Sequence, residues 1–399
     1  MTISFAKTDR HQELINQVGG LADKFSETAD YYDRSGKFPF EHINQLKKIG
    51  YHLYSLPSAH GGKEISLYEF LLMQERLAEG NASTALAIGW HLGVLIELGE
   101  NTRLKKEVYE YLVNKVRQGS LINRANTEPQ TGSPTRGGRP QTSASKKGNH
   151  WIITGKKTYT TMAPALDLFI VTAAIEGSQT VGEFLIPKET LGVSIEESWH
   201  TISMRGTGSH TLVLDKVSVP DYSLIDTVAG RKTMVNGWWL FIPACYLGIA
   251  NAARNYAVQF AKTHSPNSIK GTIQDLPNVQ RLIGSLELDL IQARHFLYSV
   301  ADKWDLTPIS ERKHIAHELS AVKHAVTNTA ISVVDQAMRV VGAQSIFEEN
   351  PLQRYYRDVR AGLHNPPMDD ATITLLASHA FASSKDRSEE YENDRAKFH

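Results

Sequence analysis

The sequence NTEPQTGS at residues 126–133 decides the fold together with WIITGKKTYTT at 151–161 and MRGTGSH at 204–210. The first is a Thr–Glu–Pro turn followed by a Gly–Ser pair, which offers backbone N–H groups and hydroxyls to a phosphate or a polar ring edge. The second places Tyr159 and Thr161 on one face of a strand, where an aromatic ring beside a hydroxyl suits a flat heterocyclic ligand. The third is a turn of small residues before an apolar strand. Taken singly, none of the three establishes a cofactor site.

The spacing of hydrophobic residues along the sequence changes twice around these stretches. Residues 8–117 place apolar side chains three and four apart, which predicts helices. Residues 119–222 contain short β-rich runs bounded by turn residues, which predict an antiparallel sheet. The helical period then returns over long segments, which predict a bundle. The predicted strands are 151–154, 168–172, 184–186 and 212–217. The later helices are predicted at 235–262, 278–304 and 310–341, with a shorter one near 369–383. The segment 128–149 is expected to be a loop.

This order predicts an α+β chain with three domains. The predicted boundaries are an all-α domain at 1–118, a β domain at 119–225, a four-helix bundle at 226–385 and a frayed charged tail at 386–399.

Charge and cysteine content exclude several classes of function. The chain has 399 residues with 43 basic and 43 acidic side chains, so no overall field favours nucleic acid or an anionic membrane. Its one cysteine, Cys245, excludes an internal disulfide framework and a cysteine-rich metal cluster. The apolar run at 238–250 is too short to span a bilayer, and the first residues lack a signal-peptide core. We therefore expect a cytoplasmic protein without nucleic-acid or membrane partners.

Metal binding is also not expected. Glu311 and His314 have the Glu-x-x-His spacing of di-iron bundles, but such a site needs a second pair on a helix. The other pair, Glu197 and His200, falls in the β-rich block. No phosphate-binding GxxxxGK[ST] loop, GxGxxG turn or GxSxG elbow is present either.

In combination, the three central stretches and their helical flanks resemble the acyl-CoA dehydrogenase family from about residue 10 to residue 385. The resemblance implies an N-terminal helical domain, a middle β domain and a C-terminal four-helix bundle, with FAD between the last two. FMN is the alternative cofactor. It also implies a homotetramer built as a dimer of dimers, in which a neighbouring subunit completes the flavin site.

By the same resemblance, individual residues receive roles. Asn126, Thr127, Gly132 and Ser133 would contact the flavin ring and pyrophosphate, while Tyr159, in place of the usual Trp, and Thr161 would flank the ring. Gln280 would reach the adenine half, and Gly342 would lie beside the partner's flavin. The residues assigned to the substrate pocket are Arg205, Thr207, Ser209 and Trp238.

The catalytic base is where this chain departs from the family. Most relatives carry a Glu about nine residues after an Arg–Asp pair, and counting from Arg357–Asp358 reaches Pro366. Others carry the base ahead of a Leu–Gly pair on the first bundle helix, and that position is Trp238. Asp369 or Asp370 could supply a carboxylate after a small loop shift, although both also suit a helix N-terminus.

Two histidines open a second interpretation. His364 and His91 resemble residues of a branch of the family, the dibenzothiophene-monooxygenase type, in which histidines stabilise a C4a-hydroperoxyflavin formed from reduced flavin and oxygen. An arginine that grips the neighbour's flavin is replaced in the segment 261–268, AKTHSPNS, which suits flavin delivered by a separate reductase.

Three functional hypotheses follow. The first is α,β-dehydrogenation of an acyl-CoA thioester, with an electron-transfer flavoprotein as acceptor. The second is two-component monooxygenation with a flavin reductase. The third is a non-catalytic scaffold that has lost flavin.

Overall fold

In the computed structural model, the described residues are 4–101, 103–131, 138–227 and 236–396, with side chains described through residue 382. The N-terminal part consists of helices α1 (Asp9–Ser35), α2 (Phe40–Lys48), α3 (Leu67–Glu100) and α4 (Lys106–Arg117). Helix α3 begins with a capping box, in which the Ser66 side chain accepts from the Glu69 N–H and the Glu69 carboxylate accepts from the Ser66 N–H.

Helix α3 forms the centre of the molecule. It is the one described helix that is long and apolar enough to cross a membrane, but 83% of its apolar window is buried inside the protein, as in a core helix. Its helical path breaks at Asn81, where φ is −151° and ψ is 102°. One residue earlier, Gly80 lies against α1 so closely that a Cβ there would be 2.0 Å from the carbonyl oxygen of Ala22. The glycine therefore permits the close crossing of α1 and α3.

The middle part is an eight-stranded sheet in the described residues. Its main path runs β6-β7-β3-β2-β4-β5-β8, and β1 pairs with β4. The strands are β1 (Ile122–Ala125), β2 (Ser143–Lys147), β3 (His150–Thr160), β4 (Leu168–Ile175), β5 (Val181–Pro187), β6 (Val193–Glu196), β7 (His210–Pro220) and β8 (Leu224–Thr227).

Two features of this sheet correct the sequence prediction. The pairs β1–β4 and β2–β4 are parallel, so the sheet is mixed and not wholly antiparallel. Strand β2 lies inside the segment 128–149 that was expected to be a loop. It was missed because its sequence, SASKK, is polar, and only Ala144 is buried in it.

The C-terminal part contains α5 (Phe241–Thr263), α6 (Pro277–Leu306), α7 (Ala316–Val341), the short α8 (Pro351–Val359) and α9 (Asp369–Ala396). Three long helices and a shorter one at 369–383 were expected here, and α8 was not. Residues 309–315 form a 3₁₀ segment instead of the predicted first turns of α7. Helix α9 continues to Ala396, so the described backbone of the predicted frayed tail is helical.

A junction of charged side chains joins the three parts. The Arg357 guanidinium on α8 binds the Asp33 carboxylate on α1, with one contact at 3.1 Å. The neighbouring Asp358 accepts from the Met204 N–H of the turn before β7 at 2.6 Å. Arg205, next along that turn, donates to the Asp33 carbonyl oxygen at 2.6 Å. We call Asp33, Arg205, Arg357 and Asp358 the domain junction.

Candidate active site

A buried ion pair fixes the Thr–Glu–Pro turn to β3. The Glu128 carboxylate accepts from the Lys157 ammonium at 2.6 Å, from the Thr142 hydroxyl at 2.7 Å and from the Gln141 N–H at 2.7 Å. Burial alone would raise the pKa of Glu128, but these hydrogen bonds outweigh it and lower the pKa to about 2. The carboxylate is therefore charged at neutral pH and compensates the one lysine ammonium buried in β3.

The turn and the strand also meet through their backbones. The Thr158 N–H donates to the Thr127 carbonyl oxygen at 2.9 Å. Next to this contact, the Asn126 Oδ1 and the Thr160 hydroxyl are buried without a hydrogen-bond partner among the described residues. Buried polar atoms usually have partners, so these two mark a place where a polar ligand edge would fit.

Tyr159 projects from the end of β3 in an unusual conformation. Its φ is +57°, a left-handed value that few non-glycine residues adopt, and 63% of its surface is exposed. Its ring touches Trp199 edge-on, with 6.0 Å between the ring centroids. The end of β3 therefore presents a flat, exposed aromatic face, and the buried Thr160 is the next residue in the chain.

A chain of hydroxyls begins at Thr161, just after the end of β3. The hydroxyls of Thr161 and Ser209 are 3.0 Å apart, and those of Ser209 and Thr207 are 2.8 Å apart. Thr207 donates to the Met204 carbonyl oxygen at 2.9 Å. Asn123 on β1 donates to the Thr161 carbonyl oxygen at 3.0 Å, which ties this end of β3 to β1. The structure thus brings Thr161, Thr207 and Ser209 together, as a site on this face requires.

His91 is fully buried between α3 and β1. Its Nδ1 accepts from the Ile122 N–H at 3.0 Å, and its Nε2 lies 3.0 Å from the His52 carbonyl oxygen, which can only accept. Burial lowers the pKa of His91 to about 4, so the ring is neutral with its proton on Nε2. Both ring nitrogens are occupied by backbone groups. This geometry contradicts the predicted role of His91 as a donor to flavin oxygen, and it makes the residue a link between α3 and β1.

Arg205 also differs from its prediction. Its guanidinium donates to the carbonyl oxygens of Asp33 at 2.6 Å and Thr201 at 3.1 Å, near the C-terminal end of α1. These bonds commit Arg205 to the domain junction, where it satisfies helix-end carbonyls, and not to a substrate pocket.

The loop before α9 carries the position of the usual base. Tyr246 on α5 donates to the Asn365 Oδ1 at 2.5 Å, and a Cβ at Gly362 would lie 3.1 Å from the same tyrosine ring. These contacts hold the loop against α5. His364 is exposed on it, and Pro366 is partly buried.

Asp369 and Asp370 have different surroundings at the start of α9. The Asp369 Oδ2 accepts from the Asn328 amide at 2.9 Å and lies 3.7 Å from the His324 Nε2. Its Oδ1 lies 3.8 Å from the Lys323 ammonium, and it is buried without a hydrogen-bond partner among the residues described. Asp370 is exposed. Asp369 therefore has one oxygen fixed by Asn328 and a second, buried oxygen beside the Lys323 ammonium.

Trp238 is buried against α3. A Cβ at Gly93 would lie 2.1 Å from its ring, so the glycine leaves the space that the indole fills. The remaining predicted residues are less informative. Gln280 and Gly342 are exposed at helix ends, while Gly132 and Ser133 lie outside the described residues.

No group of three or more His, Cys, Asp or Glu side chains is arranged to hold a metal ion in the part of the chain that the structure describes. Glu311 and His314, which have di-iron spacing, lie on the exposed 3₁₀ segment, where they are 3.5 Å apart.

Known proteins match this chain over nearly its whole length. Family models of acyl-CoA dehydrogenase match residues 8–111 (N-terminal domain), 123–217 (middle domain) and 240–365 (C-terminal domain). The chain is 53% identical to the acyl-CoA dehydrogenase homologue YdbM of Bacillus subtilis (strain 168), over 95% of this chain and 99% of that protein. The chain belongs to the acyl-CoA dehydrogenase family. The predicted family is thereby confirmed.

Solved structures of the acyl-CoA dehydrogenase fold agree with the architecture described above. Butyryl-CoA dehydrogenase from Megasphaera elsdenii superimposes with a TM-score of 0.84 at 21% identity, covering 95% of this chain and 100% of that one. FMN-bound TdsC from Paenibacillus sp. A11-2 gives a TM-score of 0.80 at 20% identity, covering 89% and 94%. The α+β fold, with helical, β and helical domains in that order, is confirmed.

Acyl-CoA dehydrogenase family proteins bind flavin, and the residues of this chain fit such a group. The flat face of Tyr159 and the unpartnered Asn126 and Thr160 atoms match a planar ring with polar edges. Sequence reasoning missed the Glu128–Lys157 pair and Thr160. The available signal was Lys157 in the middle of β3. A lysine that lies at a buried position of a strand needs an acidic partner that is buried with it.

Proposed function

We propose that this chain is a flavin-dependent oxidoreductase that dehydrogenates an acyl thioester between its α and β carbons, with Asp369 as the base. The observation that carries the proposal is the Asp369 carboxylate, which has one buried oxygen free of hydrogen bonds in the described structure. Asp369 follows the loop in which most relatives place this base. The 53% identity to YdbM supports the reaction class without identifying the acyl group.

The proposed base must be ionised and directed before the reaction begins. Asn328 holds one Asp369 oxygen at 2.9 Å, and the Lys323 ammonium lies 3.8 Å from the other. Asp369 would remove the α-proton of the thioester, while a hydride leaves the β carbon and a double bond forms between the two carbons. When bound, flavin supplies the acceptor for that hydride.

The flavin would lie on the face of the β domain formed by Tyr159 and the Thr–Glu–Pro turn. Asn126 and Thr160 would bond its polar edges, and Thr161 would lie beside the ring. FAD is the proposed form, with FMN as the alternative. A homotetramer, an electron-transfer flavoprotein as acceptor and a cytoplasmic location complete this proposal.

Anaerobic titration of the flavin-loaded protein with a panel of acyl-CoA thioesters tests the proposal. Bleaching of the flavin absorbance and formation of the 2-enoyl thioester are expected. Asp369→Asn should slow bleaching about 10²- to 10⁴-fold, the usual contribution of a general base, with flavin content unchanged. Asp370→Asn is the matched control and should bleach at nearly the original rate. Equal rates for the two variants would exclude Asp369 as the base.

A second candidate, monooxygenation, is favoured by the loop before α9. His364 is exposed there, while Pro366 stands where the usual carboxylate would be. In this reaction reduced flavin supplies two electrons, one atom of O₂ enters the substrate, and the other leaves as water. A flavin reductase would supply the reduced flavin.

The second candidate has its own test. With a flavin reductase, NADH and ¹⁸O₂, mass spectrometry should detect one labelled oxygen in an aromatic probe such as indole. His364→Ala should convert product formation into hydrogen peroxide release. Flavin bleaching by acyl-CoA without any labelled product would reject monooxygenation, and a protein that takes up neither FAD nor FMN would support the scaffold hypothesis.

A further inference from the structure

Four aromatic side chains meet where α3 passes the start of α5. Trp238 stacks on Phe241, with 6.0 Å between centroids and 15° between planes, and it meets Trp90 and Trp239 edge-on at 5.7 and 5.9 Å. We call Trp90, Trp238, Trp239 and Phe241 the aromatic cluster.

Two glycines on α3 fix the cluster in place. A Cβ at Gly93 would lie 2.1 Å from the Trp238 ring, and one at Gly89 would lie 2.4 Å from the Phe241 ring. The rings therefore lie directly on the helix backbone. Such contact leaves little freedom for Trp238 and Phe241 to move, so these two rings form a rigid inner wall.

The cluster contains two unused hydrogen-bond donors. The indole Nε1 atoms of Trp238 and Trp239 are both buried, and neither has a partner among the residues that the structure describes. A buried indole N–H normally finds an acceptor, since an unmade bond of this kind costs about 1–3 kcal/mol. A ligand with an acceptor atom would satisfy either donor.

The aromatic cluster has an accessible side and is linked to the proposed flavin site through α3 and β1. Trp238 and Phe241 are buried, whereas Trp90 and Trp239 are only partly buried. His91, the residue after Trp90, binds the Ile122 N–H of β1, and the next residue of β1, Asn123, holds the Thr161 carbonyl oxygen. The cluster and the flavin-facing end of β3 are thus connected through consecutive residues.

We propose that the aromatic cluster determines substrate specificity and selects an acyl group that bears a planar aromatic ring. The ring would pack against Trp90 and Trp239, and an acceptor atom of the substrate would receive an indole N–H. This inference rests on the proposed oxidation of an acyl thioester and names its substrate class. A saturated straight chain offers neither a flat face for stacking nor an acceptor beyond its thioester.

Binding measurements test the inference independently of turnover. Isothermal titration calorimetry on anaerobic, flavin-loaded protein compares 3-(4-methoxyphenyl)propanoyl-CoA, whose ether oxygen is a hydrogen-bond acceptor on the ring, with hexanoyl-CoA. Aromatic stacking and the new hydrogen bond predict at least about fivefold tighter binding of the aryl thioester. Equal or weaker binding of the aryl thioester would overturn the inference.

Single Trp238→Phe and Trp239→Phe variants keep a ring and remove one donor. Each should weaken aryl binding about five- to tenfold and affect hexanoyl-CoA binding much less. The smaller ring leaves unfilled volume, so a lower melting temperature of the ligand-free protein is expected in the Trp238→Phe variant. The control is Trp151→Phe, whose indole N–H already binds Asp221 at 2.9 Å in the sheet. It should leave both affinities unchanged. Unaltered aryl binding in both test variants would refute the role of the donors.

The outcome separates this inference from the proposed function. Tight aryl binding without flavin bleaching would support the aromatic cluster and reject dehydrogenation. Bleaching by hexanoyl-CoA with no preference for the aryl thioester would support dehydrogenation and reject the cluster as the specificity site.

Discussion

Glu128 shows how one side chain can hold a binding loop in place. Its carboxylate joins the Thr–Glu–Pro turn to Lys157 on β3, and both side chains are buried. Removing one charge of such a pair leaves the other charge buried without compensation, which usually costs more than removing both.

We expect Glu128→Gln to lower the free energy of unfolding by about 3–5 kcal/mol, because the Lys157 ammonium loses its counter-charge. The double variant Glu128→Gln with Lys157→Met should recover a large part of this loss. Urea unfolding of the two single variants and the double variant measures the coupling. If the loss of stability in the double variant equals the sum of the losses in the two single variants, the pair is not energetically coupled.

Glu79 and Glu128 make the stability of the protein depend on pH in opposite directions, because the pKa of Glu79 is raised and that of Glu128 is lowered. Burial, with Glu75 nearby, raises the pKa of Glu79 to about 7 from an ordinary value of 4.5. The unfolded chain therefore loses its Glu79 proton at lower pH than the folded chain does. Stability from this residue is complete below about pH 4.5 and falls as the pH rises towards 7.

Glu79→Gln should remove that loss and stabilise the protein by roughly 1–3 kcal/mol at pH 8, with little change at pH 5. Urea unfolding at the two pH values provides the measurement. Glu110→Gln, which changes an exposed residue paired with Lys106, is the control and should show no such pH dependence. A gain of the same size at both pH values would contradict the assignment to ionisation.

At the scale of elements, the crossing of α1 and α3 depends on Gly80. An alanine there would place its Cβ 2.0 Å from the Ala22 carbonyl oxygen, so the helices must separate. We expect Gly80→Ala to destabilise the protein by about 3 kcal/mol or more. Gly20→Ala, on α1 with nothing within 4 Å, should instead stabilise it by about 0.5–1 kcal/mol. Thermal unfolding followed by circular dichroism distinguishes these results; similar effects of the two substitutions would show that the crossing tolerates a methyl group.

The elements that the sequence predicts are those whose burial follows a regular period. Helices α5, α6 and α7 and strands β3, β4, β5 and β7 fall in this class. Strand β2 has little burial, and β1 pairs in parallel with β4, a contact distant in sequence that local periodicity does not encode.

The site likewise combines features that short sequence motifs indicate with contacts between residues that are distant in sequence. Its motifs could be read from residues 126–133 and 151–161. The structure shows that the hydroxyls of Thr161, Thr207 and Ser209 form one hydrogen-bonded chain. The roles of Arg205 and His91 were wrong because both bind backbone atoms of other elements, which the residue types alone do not indicate.

At the scale of the whole molecule, the domain junction connects all three parts of the chain. Asp33 contributes its carboxylate to Arg357 and its carbonyl oxygen to Arg205. Since the acidic partner is buried, this pair is worth more than a surface ion pair.

Asp33→Asn should lower the free energy of unfolding by roughly 2–3 kcal/mol and broaden the transition, because the N-terminal helices lose a charged link to α8. Differential scanning calorimetry measures both effects. Asp30→Asn removes an exposed pair with Arg34 on the same helix and should cost less than about 1 kcal/mol. Equal losses for the two variants would argue against a special role for the junction.

The seating of Trp238 on Gly93 has an evolutionary consequence. The large Trp238 ring fits only because Gly93, more than a hundred positions away in the chain, has no side chain. Neither can drift alone: a methyl group at 93 would expel the indole, and a small residue at 238 would leave a void. Relatives of this chain should therefore change both positions together, and such double replacements would record a repacking of α3 against the start of α5.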